Sequence, residues 1–246
     1  MSGRLTVIGL GPGSPEQVTP EASRAVSEAA FFYGYKPYLD RLDLGAHQTR
    51  IASDNREELG RAQEALEKAA QGHHVAVVSG GDPGVFAMAA AVCEAIEAGP
   101  PEWRDIDLGV VPGVTAMLAV AARAGAPLGH DFCAISLSDN LKSWATIERR
   151  LTAAAEADFV IALYNPASKA RPHQLGEAFA LLRQAKGPET LVLLVRAAGT
   201  GEARVLSTTL GQVDATQADM RTLVIVGAST TRRVGRWVYT PRGIRP

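Results

Sequence analysis

Three glycine-rich turns, each directly behind a short apolar run, are the segments of this chain whose residue types could do chemistry. The first is Gly9-Leu10-Gly11-Pro12-Gly13-Ser14-Pro15, the second Ser79-Gly80-Gly81-Asp82-Pro83-Gly84, and the third Val111-Pro112-Gly113-Val114-Thr115-Ala116. Glycine lets the backbone take positive φ and lets a ligand come close to the main chain. Ligands of open α/β sheets sit beyond the carboxyl ends of the strands, so three such turns would line one crevice. Asp82, held between glycines and a proline, could accept hydrogen bonds from a ribose hydroxyl or an ammonium group. The competing expectation for it is a cap on a helix starting near Val85.

The first turn fails the dinucleotide fingerprint. Its third position is Ser14, Pro12 and Pro15 remove amide donors, and no acidic residue closes a second strand at the required distance. A phosphate-binding Gly-Lys-Ser/Thr ending is also absent. Cys93 and Cys133 have no metal-ligand spacing and are flanked by apolar residues, so both are expected to be buried free thiols.

The elements that must position these turns follow from hydrophobic patterning. Continuous apolar runs at Leu5–Leu10, Ala29–Tyr33, Val75–Ser79, Leu108–Val111, Phe159–Tyr164, Leu191–Val195 and Leu223–Val226 suit strands covered on both faces. Between them, Arg56–Gln71, Val85–Ala98, Ala116–Ala124 and Gln174–Lys186 have amphipathic helical spacing. The alternation predicts an α/β protein whose strands are mostly parallel at its start. A composition shift near Gly125-Ala126-Pro127-Leu128-Gly129 places the expected boundary between domains 1–124 and 125–246. Of the 246 residues 46% are hydrophobic, and the formal net charge is −1. That balance gives no reason to expect nucleic acid or a membrane as partner. With a strand beginning at Leu5 and no apolar segment of spanning length, a cytoplasmic location is the expectation.

The three turns are followed in order by Leu163-Tyr164-Asn165-Pro166, Arg196-Ala197-Ala198-Gly199 and Thr222-Leu223-Val224-Ile225-Val226-Gly227. This ordered set resembles the tetrapyrrole (corrin/porphyrin) methylases, which depend on S-adenosylmethionine (SAM), over essentially the whole chain. Phe31–Tyr38, Ser53–Arg56, Asp131–Asp139 and Tyr239–Gly243 are similar to the branch that methylates precorrin-3B at C-17 and contracts the ring to precorrin-4 in cobalamin biosynthesis. The alternatives are the cobalt-containing analogue and another corrinoid position. Asn140-Leu141-Lys142-Ser143-Trp144 departs from that branch, which withholds any carry-over of contacts in this loop.

The resemblance implies two α/β domains with the active-site cleft between them, usually as a homodimer, with SAM as methyl donor and no metal. It implies cofactor contacts from Gly81, Asp82, Val85, Phe86, Thr115, Ala116, Tyr164, Asn165, Ala197, Leu223, Val224 and Ile225. Because a sulfonium leaves as a neutral thioether, positioning can supply most of the acceleration. A base for the C-20 hydroxyl would help the contraction. Asp54 and His130 are candidates, against the plainer expectations of a helix cap and a surface loop. The substrate's acetates and propionates call for cations. Candidates are Lys36, Arg56, Lys142, Lys169, Arg171 and Arg196, with a denser cluster at Arg232, Arg233, Arg236, Arg242 and Arg245, for which a solvated tail or a dimer contact is the alternative.

Overall fold

A computed structural model describes residues 3–54, 57–168 and 170–243. The chain divides into two compact units, Met1–Ala116 and Met117–Pro246. Arg56, Lys169 and Arg245, three of the expected substrate cations, lie outside the described residues.

The first unit is an open parallel sheet. Its elements are β1 (Arg4–Gly9), α1 (Pro20–Glu28), β2 (Phe31–Tyr35), α2 (Lys36–Leu39), β3 (Thr49–Ser53), α3 (Glu58–Ala70), β4 (His74–Ser79), α4 (Met88–Ala98) and β5 (Asp107–Val111). The strand order is β3-β2-β4-β1-β5, and every pairing is parallel. Helices cover both faces. Leu5, Val7, Tyr33, Val75 and Val77 pack against α3 and α4, while Ile8, Phe32, Ala76 and Val78 face α1. Two covered faces explain why these strands read as unbroken apolar runs. Because all five strands run the same way, the three glycine turns leave the sheet at one edge.

The second unit mixes strand directions. It comprises α5 (Ala116–Ala124), β6 (Gly125–Ala126), β7 (Phe132–Ser136), α6 (Trp144–Glu156), β8 (Val160–Tyr164), α7 (Gln174–Ala185), β9 (Leu191–Arg196), β10 (Arg204–Thr209), β11 (Thr222–Val226), β12 (Arg232–Val234) and β13 (Trp237–Tyr239). The main sheet runs β10-β9-β11-β8-β7. Only β7 and β8 pair in parallel; β11 is antiparallel to both β8 and β9. One face is closed by α6 and α7 through Ile147, Leu151, Phe179 and Leu182. A separate small sheet joins β12, β13 and β6. No helix of the described residues is long and apolar enough to cross a membrane.

Two expectations need correction. Cys93 is exposed and Cys133 only half-buried, although both are free. In α4 the residues turned to the core are Met88, Val92 and Ala95, and Cys93 lies a hundred degrees round the helix from Val92. Asp82 does not cap α4, which begins at Met88 behind Ala87 without a side-chain cap.

One ion pair anchors the second unit. The Lys186 side chain is 2% exposed, and its Nζ donates to Asp158 Oδ1 at 3.0 Å. Asp158 sits at φ 56° and also accepts from the Ser229 amide at 2.9 Å and from the Ser229 hydroxyl. Burial pushes the Asp158 carboxyl up. The bonds from the Ser229 hydroxyl, Lys186 and the Ser229 amide outweigh it and hold the group below its ordinary value. A depressed carboxyl adds stability that is present above the unfolded value near pH 4 and lost as pH falls through the folded value. Asp158→Ala leaves a buried ammonium without its acceptor, so it should cost about 1–3 kcal/mol at neutral pH. Thermal unfolding followed from pH 7 to below pH 3 should show the gap to wild type shrinking on the acid side.

Candidate active site

The three glycine turns meet through their backbones. Gly11 and Gly81 exchange hydrogen bonds, Gly81 N–H to Gly11 O at 2.8 Å and Gly11 N–H to Gly81 O at 3.1 Å. The third turn presses on both: a Cβ on Gly113 would lie 2.3 Å from Gly81 O and 3.0 Å from Gly9 C. No side chain fits there. Asp82 fastens the arrangement, with Oδ1 accepting from Gly84 N–H at 2.8 Å and Oδ2 from Gly113 N–H at 3.1 Å. The carboxylate is therefore a clamp between the second and third turns, a role that neither expectation for it contained.

Gly81 stands at φ 71°, and its Cβ direction points at Thr115 Cα (3.7 Å) and Ala116 N (3.8 Å). Gly81, Asp82, Thr115 and Ala116, named from the sequence, are thus gathered at one place. Val85 and Phe86 follow in the loop before α4. Phe86 is 50% exposed and has φ 52°, a left-handed conformation that is uncommon for a bulky residue.

In the second unit, β8 and β9 run the same way, with β11 reversed between them. Their carboxyl ends deliver Tyr164, Asn165 and Ala197 to the edge where β11 starts. Asn165 has φ 52° and Ala197 φ 53°. Tyr164 Oη accepts from Met117 N–H at 3.1 Å, and Asn165 Nδ2 donates to Ser136 Oγ at 2.9 Å. Along β11, Val224 turns into the core under α6 and α7, while Leu223 and Ile225 alternate to the other face. Val224 can offer a ligand on that face its backbone only.

Four non-glycine residues have positive φ among the described residues: Phe86, Asp158, Asn165 and Ala197. Asp158 belongs to the Lys186 pair. The other three are all residues expected to touch the cofactor. Left-handed backbone in such residues costs about 1–3 kcal/mol and clusters at ligand clamps.

The remaining candidates scatter. Asp54 follows β3, and its N–H donates to Glu57 Oε2 at 3.0 Å. The cap position of α3 is Glu57, so the helix-cap expectation for Asp54 fails. His130 lies in a bend, its Nδ1 accepting from Asp131 N–H at 2.7 Å. Of the expected cations, Lys36 pairs with Asp40 at 2.8 Å and Arg196 with Asp219 at 2.6 Å. Arg171 is 4.0 Å from Asp139. In the β12–β13 hairpin Arg232 stacks on Tyr239 and Arg236 on Trp237, while Arg233 donates to Ser207. Arg242 is exposed. Burial, with Arg150 adding to it, pulls Lys142 down. Lys142 sits in the divergent loop, where Leu141 is 90% exposed and Ser143 caps α6.

Two arginines escaped the sequence reading. Arg41 donates to Gly11 O at 3.0 Å and to Leu10 O, tying the first turn to the end of α2. Arg61, 3% exposed, donates to Ser53 Oγ, Asp54 O and Met88 Sδ. A signal existed for Arg61: it falls on the apolar stripe of α3 with Ala62, Ala65, Leu66 and Ala69. Gly113→Ala should displace the three turns together. The expected result is loss of ligand binding by calorimetry and a lower melting temperature, whereas Gly187→Ala, in open space, should change neither.

The family model for tetrapyrrole (corrin/porphyrin) methylases matches residues 4–214. The precorrin-3B C(17)-methyltransferase of a Sinorhizobium species is 64% identical, covering 98% of this chain and 97% of that one. The crystal structure of the methyltransferase CobJ superposes with a TM-score of 0.95 at 53% identity, over 98% of this chain and 100% of that one. The uroporphyrin-III C-methyltransferase of Thermus thermophilus, solved with S-adenosylhomocysteine, shares the fold at 24% identity, with a TM-score of 0.69 and coverage of 92% and 97%. The two-unit fold is thus shared with solved methyltransferases, and the chain belongs to the tetrapyrrole (corrin/porphyrin) methylase family.

Proposed function

We propose that this chain transfers a methyl group from SAM to C-17 of precorrin-3B, with ring contraction to precorrin-4, in cobalamin biosynthesis. The observation that carries the cofactor part is the coincidence of left-handed backbone at Phe86, Asn165 and Ala197 with the residues expected to hold SAM. The relative that is 64% identical over almost the whole chain supports the acceptor and the position.

The residues fit the cofactor. The clamped turns present backbone at Gly81, Thr115 and Ala116 without an intervening side chain, which suits a nucleoside wanting main-chain hydrogen bonds. Asp82, although its oxygens each take one amide, keeps further lone pairs. In the first unit Val85 and Phe86 would offer apolar contact; in the second, Tyr164, Asn165 and Ala197 stand at the edge of the sheet, and β11 with Leu223, Val224 and Ile225 would contribute main chain. When bound, SAM supplies an electrophilic methyl whose departure leaves a neutral thioether.

The protein's part is then positioning and proton handling. Aligning the C-17 carbon with the methyl supplies most of the acceleration. As the new carbon–carbon bond forms, the sulfur–methyl bond breaks. Loss of the C-20 hydroxyl proton drives the contraction, C-20 leaving the ring as an acetyl group on C-1. We take Asp54 as the base: its position directly after β3, at the carboxyl edge of the first sheet, supports this, while His130 Nδ1 is already engaged by its neighbour's amide. We further propose a homodimer acting in the cytoplasm.

Incubation with SAM and either precorrin-3B or its cobalt complex tests the reading. The expected product gains one methyl by mass and carries it at C-17 by NMR, with the metal-free substrate preferred. Methylation elsewhere, or of the cobalt complex alone, overturns the assignment. Asp54→Ala should retain SAM binding and lose about a hundredfold in kcat; unchanged turnover removes it as the base.

A further inference from the structure

The carboxyl edge of the first sheet carries a group of side chains that the glycine turns do not explain. Register places Ser53, Tyr35, Ser79 and Gly9 side by side at the ends of β3, β2, β4 and β1. Above this row stand Arg61 at the Ser53 end, Arg41 at the Leu10–Gly11 end, and Tyr38 over the middle. The Tyr38 ring lies on the second turn: a Cβ on Gly80 would be 2.6 Å from its Cε1 and 3.1 Å from its Oη. Tyr35 packs edge-on against the same ring, with centroids 5.5 Å apart.

These groups are held but not neutralised. Arg41 is anchored by two carbonyls, and the adjacent acid, Asp40, is taken by Lys36. Arg61 is anchored by a hydroxyl, a carbonyl and a thioether. No carboxylate of the described residues makes an ion pair with either. Glu58, Glu57 and Asp54 act on Arg61 through space without forming an ion pair with it, and Glu57 is engaged by the Asp54 amide. Burial lowers both guanidiniums from their ordinary value, the direction expected of cations short of a counter-charge. The Tyr38 hydroxyl has no hydrogen-bond partner among the described residues, yet it is not sealed from solvent. Each guanidinium has five N–H donors and keeps some unused.

The geometry points to a carboxylate-binding site made by Arg41 and the Tyr38 hydroxyl, with Arg61 as supporting cation, at the ligand edge of the first sheet. Fixed guanidinium forks and a phenol donor match a carboxylate, and their ordering is already met by the fold. Arg41 also donates to Gly11 O, so charge arriving here would touch the same turn that pairs with Gly81. The inference rests on the proposed reaction, in which two ligands bring carboxylates: the amino-acid end of SAM, and the acetates and propionates of the tetrapyrrole. Both offer the same chemistry to this site.

Tyr38→Phe removes one hydroxyl that makes no hydrogen bond among the described residues, and Arg41→Gln removes the charge but keeps hydrogen-bonding capacity. Calorimetry with S-adenosylhomocysteine and the KM for precorrin-3B separate the two sources. A rise of about tenfold to a hundredfold in one constant with the other unchanged is expected. A shift in the S-adenosylhomocysteine Kd assigns the site to the cofactor, and a shift in KM assigns it to the tetrapyrrole. If both variants keep both constants within about twofold, the site is refuted. It is equally refuted if Tyr38→Phe is silent and Arg41→Gln loses both ligands together with melting temperature, since Arg41 then only braces the first turn. Failure of wild type to methylate precorrin-3B sinks the proposed reaction instead, and calorimetric Kd values for S-adenosylhomocysteine and for precorrin-3B itself still judge the site.

Discussion

The approach of Gly113 to Gly81 and Gly9 is the constraint on which the rest of the first unit depends. A gap of 2.3 Å between a would-be Cβ and a carbonyl oxygen admits no side chain. The third turn can therefore rest on the first two only as bare backbone. The Asp82 carboxylate then joins the turns by accepting an amide from each side, a charge-assisted arrangement stronger than neutral bonds. Parallel strands make this possible, because only they bring three successive strand ends to one edge. The apolar runs and their helical covers serve to hold that edge still.

The second unit solves a different problem with the same elements. Its central strand, β11, is reversed between β8 and β9, so the strand ends of β8 and β9 meet the same edge without being neighbours in the sheet. What they deliver is strained backbone, at Asn165 and Ala197, in place of glycine. Neighbouring bonds over-determine both positions: Asn165 holds Ser136, and Ala197 N–H bonds Arg221 O. Strain of this kind persists only where the surroundings insist on it. The lysine pair at Asp158 shows the same logic turned to stability, a left-handed residue retained because its carboxylate satisfies a buried ammonium.

Much of the fold was legible in the sequence where burial is two-sided. The unbroken apolar runs at Leu5, Val75 and Leu191 each became strands within a residue or two of their expected limits. The glycine turns were legible because only glycine tolerates what they do. Strands with exposed residues were missed, β3 with its single half-buried alternation and β10 with an exposed first half. Cys93 was misjudged because neighbours in sequence are not neighbours on a helix face. Asp82 was found but its task was not, since the amide it reaches on Gly113 is thirty-one residues away.

By itself the sequence determined the strand–helix alternation, the three turns and the family, because each is a matter of local residue type and order. Tertiary structure alone decided that Asp82 is a clamp, that Val224 and not Leu223 faces the core under α6 and α7, and that Arg41 and Arg61 stand over one strand edge with only neutral acceptors. These depend on strand register and on which carbonyl a distant guanidinium happens to meet. Periodicity fixes which face a residue occupies, but not what the chain brings opposite to it.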